Sequence, residues 1–94
     1  MNNLIIKHNH GQLILSDVSL VPYDFSETIC GNKRRYTGFD AVGTILGGGE
    51  TSRLFHATST HKYPVGQQKT YRLFGRTPHD LGNDNWFVDC SFCG

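Results

Sequence analysis

Apolar residues recur along the whole chain in short alternating runs, and Gly, Asn, Asp and Pro separate the runs. Alternation with a period of two marks strands that bury one face. Residues 3–7 make the first run and 12–16 the second, which Val18 and Leu20 continue. Between them "HNHG", His8 to Gly11, accepts left-handed backbone angles at little cost, so an N-terminal hairpin is expected. The pattern resumes over 34–46, where Gly38 and Gly43 invite bulges, and again over 52–59, 70–76 and 85–92. In the last run Trp86, Val88, Cys90 and Phe92 alternate as one buried face, which leaves Cys93 on the other. Gly47, Gly48 and Gly49 read as a mobile loop between two strands.

Two segments depart from this period. In "YDFSETICG", Asp24 and Glu27 form a capping-box-like start, Phe25 and Ile29 share a helical face, and Gly31 suits the residue after a helix end. The spacing predicts one short helix near residues 24–30. "TPHDLG" has Thr at a cap, Pro at the first helical position and Gly at the end, which predicts a single helical turn. The expected fold class is all-β or β-rich α+β: a small curved sheet or barrel of about 5–6 antiparallel strands, whose closure hides its edges.

Length confines this to one domain, residues 1–94. A chain this short buries only about two-thirds of its unfolded surface, so a metal, a disulfide or a second copy would help hold it. Hydrophobic content is 37%, and six Phe, four Tyr and Trp86 supply large apolar areas. A net charge of +1 argues for a folded chain over a disordered one. The opening residues lack a basic region followed by a long apolar run, and no stretch approaches the roughly 18 apolar residues of a membrane span. A cytoplasmic protein without a membrane partner is expected (host cytoplasm, if the chain is viral). Three cysteines cannot complete a disulfide framework, in keeping with a reducing compartment.

Charge changes the picture more than composition does. Residues 1–32 sum to −2, residues 33–76 to +6 and residues 77–94 to −3. Within the basic middle, Tyr71, Leu73 and Gly75 of "TYRLFGR" share one strand face, and Arg72, Phe74 and Arg76 share the other. Arg53 and Phe55 share a face in the same way. Two such strands side by side would present arginine beside aromatic rings. That surface suits a protein partner, since Arg and aromatics dominate binding hot spots, or stacked bases with Arg on phosphate. The bland alternative is a solvated arginine face with Phe55 and Phe74 in the core, or basic and acidic strands paired within one sheet.

Candidate chemistry is sparse. "CSFCG" could supply Cys90 and Cys93 to a zinc ion, with Cys30 as third ligand and one of His8, His10, His56, His61 or His79 as fourth. No second C-x-x-C or H-x-x-x-H completes the signature, and a straight last strand would leave Cys90 as a packed thiol. His8 and His10 could chelate a metal, but a tight polar turn explains them as well. "GTILGGGETS" lacks the Lys of a phosphate loop, which excludes nucleotide hydrolysis, though its backbone N–H groups could still bind a ligand. No nucleophile elbow surrounds any Ser. His56 as a general base with Arg53 or Tyr71, or His61 in its place, would make a small nuclease.

These features point to a non-enzymatic protein that docks on a macromolecular partner, without a cofactor, through Arg53, Phe55, Arg72, Phe74, Arg76 and the loop at Gly48. Small chains without a catalytic signature are often phage or viral accessory inhibitors of host defence proteins, anti-CRISPR proteins among them. The alternatives are an RNA or single-stranded nucleic-acid binding β domain, and a zinc-stabilised domain or nuclease. A homodimer fits all of them, because a small core and unpaired edges favour a second copy.

Overall fold

The structure, a computed structural model, describes residues 1–92. It is all-β among the described residues. Seven strands run in chain order: β1 (Asn3–His8), β2 (Gly11–Ile29), β3 (Asn32–Leu54), β4 (Ala57–Lys62), β5 (Gln68–Arg72), β6 (His79–Gly82) and β7 (Asn85–Asp89). They form one open, curled sheet in the order β4-β3-β2-β1-β7-β6, and β5 pairs with β3 beside this path.

A single sheet can shelter a core only by curling around it. The alternating faces of the strands dictate which residues go inside. Leu4 and Ile6 of β1, Leu13 and Leu15 of β2, and Ala41 and Ile45 of β3 turn inward, and Val18, Leu73, Val88 and Cys90 complete the buried cluster. Curling needs breaks in register. The β2–β3 pairing shifts between Ile14 and Leu15 and again between Ser16 and Ser19, where Asp17 takes a φ of 51°. At about 3.3 Å per residue a straight 23-residue strand would run some 75 Å, yet the longest dimension of the protein is 43 Å. β3 is therefore strongly bent.

β3 connects two projecting ends. At one, β2 and β3 continue as a two-stranded ribbon from Val21 and Asp40 to Ile29 and Asn32. β1 reaches only Ser16 of β2, and β5 reaches only Asp40 of β3. At the other end β3 and β4 pair from Gly49 and Lys62 to Leu54 and Ala57. These extensions explain a radius of gyration of 15.1 Å, against about 12 Å for a compact domain of this length.

Four expectations are corrected. Residues 24–30 are not helical: Asp24 to Ile29 lie in β2, and Cys30 and Gly31, with φ of 51° and 79°, make the tight turn into β3. Two successive positive φ values match the twist of a two-residue hairpin loop. "TPHDLG" likewise leads into strand β6, not a helical turn. Gly47 to Gly49 lie in the middle of β3, not in a loop. The sheet is mixed, because β7 lies parallel to β1, from Asn3 beside Asn85 to Lys7 beside Asp89. The N-terminal strand leaves one edge open after pairing with β2, and the last hairpin closes that edge. No helix among the described residues is long and apolar enough to cross a membrane.

Candidate functional site

Residues directly opposite in an antiparallel pair share a face. On one face of the β2–β3 ribbon, Tyr23 therefore stands beside Gly38, Phe25 beside Tyr36, and Glu27 beside Arg34. The Phe25 and Tyr36 rings stack at 5.1 Å, and Tyr23 lies 6.0 Å from Phe25. Gly38 makes room for this row: a Cβ there would stand 2.7 Å from the Tyr23 hydroxyl. The Tyr36 hydroxyl donates to Glu27 Oε1 at 2.8 Å, which pushes the phenol pKa up. Phe25 remains 41% exposed.

Arg72, at the end of β5, completes the row. Its guanidinium lies 4.1 Å from the Tyr23 ring centre and 5.3 Å from that of Phe25. Asp40 fixes the fork from beside it, through Nε–Oδ1 at 2.9 Å and Nη2–Oδ2 at 3.3 Å. On the opposite face Arg35 clamps Asp24, with Nε–Oδ1 at 2.9 Å, and that hydrogen bond holds the Asp24 carboxyl below its usual range. Phe39 is exposed on this second face.

The residues singled out in the sequence do not converge on one surface. Tyr71 and Leu73 face inward and Arg72 outward, as their alternation predicts. Arg53 lies thirteen residues beyond Asp40 along the bent β3, at the other projecting end. Phe55 and His56, with φ of 51° and 69°, form the turn there, and Phe55 is 90% exposed. A bulky side chain in that backbone region is strained. Phe74 lies just past β5 in a turn, edge-on to Phe92 at 5.5 Å, and Arg76 covers the Phe92 ring at 5.2 Å. Gly48 sits within β3 opposite Leu13.

The cysteines are likewise apart. Cys30 is exposed at the ribbon tip, whereas Cys90 is in the core with its thiol near the Leu73 carbonyl. Cys93 lies outside the described residues. Among the described residues no three His, Cys, Asp or Glu side chains are grouped to hold a metal ion. His56 stands in the exposed tip turn, while Tyr71 stacks on His8 at 5.9 Å.

His8 itself is the residue that motif reasoning undervalued. Leu4, Ile6 and His8 alternate, so the third side chain of β1 must also point inward, and it is only 8% exposed. The His10 backbone N–H donates to His8 Nδ1 at 3.2 Å. That ring proton must then sit on Nε2, which lies 3.1 Å from the Tyr63 hydroxyl. Tyr63 passes its own proton toward Glu50 Oε2 at 3.2 Å. The chain of bonds has one direction and needs a neutral imidazole. Burial lowers the His8 pKa, assisted by the charges of His10 and Lys69 and opposed by Glu50. Burial, followed by Glu50, pushes Tyr63 up to about 12. A cavity of about 260 Å³ opens beside this relay, between His8, Glu50, Tyr71 and Cys90.

A pH dependence follows. Unfolded His8 takes up a proton below its ordinary pKa of 6.5, and folded His8 resists it. Its contribution to stability is present above pH 6.5 and declines as the pH falls toward the lowered folded value. The melting temperature is expected to drop between pH 7.5 and about 5, a window above the range in which Asp24 and Asp89 take up protons. His8→Phe, which keeps a ring against Tyr71, should be less stable at pH 7.5 and flatter across the window. Equal slopes for the two proteins would show that His8 is not the group responsible.

No protein-family model matches the chain, and neither the curated proteins nor the solved structures contain a significant match.

Proposed function

We propose that this is a binding protein without catalytic activity, and that it docks on a partner protein through the aromatic face of the β2–β3 ribbon. One observation carries the reading: Phe25 and Tyr36 stack in the open beside Tyr23, outside the core, with Arg72 held over the row by Asp40. Aromatic rings with a fixed arginine are the composition of binding hot spots. Pre-arranged side chains also lose little entropy on binding. The ribbon adds two free strand edges, which a partner strand can extend.

A protein partner is favoured over nucleic acid by the charges. Arg35 and Arg72 already have carboxylate partners, and Glu27 stands beside Tyr36. Phosphates would compete with these acids and be repelled by them. The finer reading, an accessory inhibitor of a host defence protein, rests on the size of the chain and its lack of catalytic motifs.

The test is co-purification from producing cells, with and without nuclease. The wild type is expected to retain a partner protein after nuclease treatment. Phe25→Ala with Tyr36→Ala should lower the affinity by about 30-fold or more at an unchanged melting temperature. Retention of the same partner by the double variant would overturn the ribbon assignment. Loss of all capture on nuclease treatment would favour the nucleic-acid reading.

A further inference from the structure

A second concavity lies away from the ribbon, over the three consecutive glycines of β3. A groove of about 740 Å³ runs across β1, β2, β3 and β4. The register sets Asp89 beside Lys7, Lys7 beside Gln12, Gln12 beside Gly49, and Gly49 beside Lys62, so one cross-strand row carries a lysine on each side of the groove, with Asp89 next to Lys7 outside it. The strand spacing puts the two backbones about 14 Å apart, within reach of one bound molecule between two long side chains. His10, Tyr63 and Val65 form further walls, and no Asp or Glu lines the groove.

Its floor contains a glycine that the fold does not require. Gly48 and Gly49 are explained by packing: a Cβ on Gly48 would collide with the Gln12 carbonyl, and one on Gly49 would stand 2.6 Å from the His61 carbonyl oxygen. Gly47 is different. Its φ is not positive, and nothing lies within 4 Å of where its Cβ would be. Each of the other nine glycines among the described residues either takes a positive φ or would drive a Cβ into a neighbouring carbonyl oxygen. Glycine in a strand interior weakens the strand and often marks the close approach of a ligand.

We infer that this groove binds a small anionic molecule with a flat ring, of the chemical class of a nucleoside monophosphate. The ring lies on the bare backbone at Gly47, and the anionic group is held by Lys62, since Lys7 has Asp89 beside it. The volume fits one small molecule. Lys62, and the lack of a carboxylate among the lining residues, favour an anion, and the open space over Gly47 admits a flat face. The proposal uses no residue of the ribbon and does not depend on the docking reading.

The probe is adenosine 5′-monophosphate, titrated into the ¹⁵N-labelled full chain and followed by amide shifts. Saturable shifts are expected at Gly47, Gly49, Thr51 and Tyr63. Adenosine and inorganic phosphate alone should each bind about tenfold more weakly or worse. Gly47→Leu should fill the floor and abolish the shifts. Gly47→Ala, whose methyl enters open space, secures the test if the leucine variant misfolds: it should fold at least as stably as the wild type and bind more weakly. Three results would each overturn the proposal: no saturable shift at roughly 5 mM probe, enough to fill a millimolar site; adenosine binding as well as its monophosphate; or both Gly47 variants binding unchanged. Tighter binding of an oligonucleotide across both faces of the sheet would replace the small ligand with a polymer and overturn it as well.

Discussion

Gly48→Ala is expected to remove about 2–6 kcal/mol of stability, a large share of what a domain of this size has. Gly48 takes a φ of 99° in the middle of β3, a conformation that L side chains rarely adopt. Its missing side chain is also where the Gln12 carbonyl of β2 lies. The strain of the backbone adds about 1–3 kcal/mol, and forcing two paired strands apart adds a further cost of about 1–3 kcal/mol. A domain of this size has only about 5–10 kcal/mol to lose. The damage is placed where it matters most, because Gly48 pairs with Leu13, a core residue. Urea titration followed by circular dichroism would measure it. Gly47→Ala, one residue away, is the control and should fold normally. A Gly48→Ala protein as stable as the wild type would mean that the Gln12 carbonyl of β2 does not lie against Gly48.

The contrast between these neighbours shows where the sequence can be read and where it cannot. Three consecutive glycines announce that side chains are excluded, but not whether the cause is a turn, a crossing backbone or a ligand. A loop was the natural expectation, and the bent strand β3 is the outcome. The same ambiguity produced the helix expected at 24–30. Gly31 suits the residue after a helix end, but a tight hairpin turn needs a positive φ there as well. Phe25 and Ile29 fit a helical face at a spacing of four, yet Tyr23, Phe25 and Glu27 fit a strand face at a spacing of two, and pairing with β3 decided between them. Where a run alternates and is buried, the first hairpin, the inward Tyr71 and Leu73, and the buried Val88 and Cys90 follow from the pattern, whereas Phe92, expected on the same buried face, is exposed beyond the end of β7. The parallel contact of β1 with β7 was not, since nothing local in either strand encodes which edge the other will find. The candidate site was legible only in composition. Arg72 was marked, but its aromatic neighbours Tyr23 and Phe25 belong to a segment distant in sequence.

Backbone amides of the ribbon are expected to exchange with solvent at least about a thousandfold faster than those of the core, when the protein is dilute and without a partner. Between Tyr23 and Gly38 the ribbon has two strands and no third among the described residues, and a two-stranded hairpin in water is marginal. What steadies it is local: the Arg35–Asp24 and Arg72–Asp40 pairs, the stacked rings and the tight Cys30–Gly31 turn. Exposed ion pairs of this kind contribute little. The amides of Leu4, Ile6, Leu13 and Leu15, by contrast, belong to strands flanked on both sides or covering the core, and should open only with global unfolding. Arg72→Ala removes a side chain that ties the aromatic row to β5, so it should speed exchange at Tyr23, Phe25 and Tyr36 further and leave the core amides unchanged. Hydrogen exchange read by NMR separates these cases. Ribbon protection equal to that of the core would mean that something covers the ribbon even in the isolated protein. If that protection rose with protein concentration, the cover would be a second copy of the chain, and the face proposed for a partner would be a dimer interface instead.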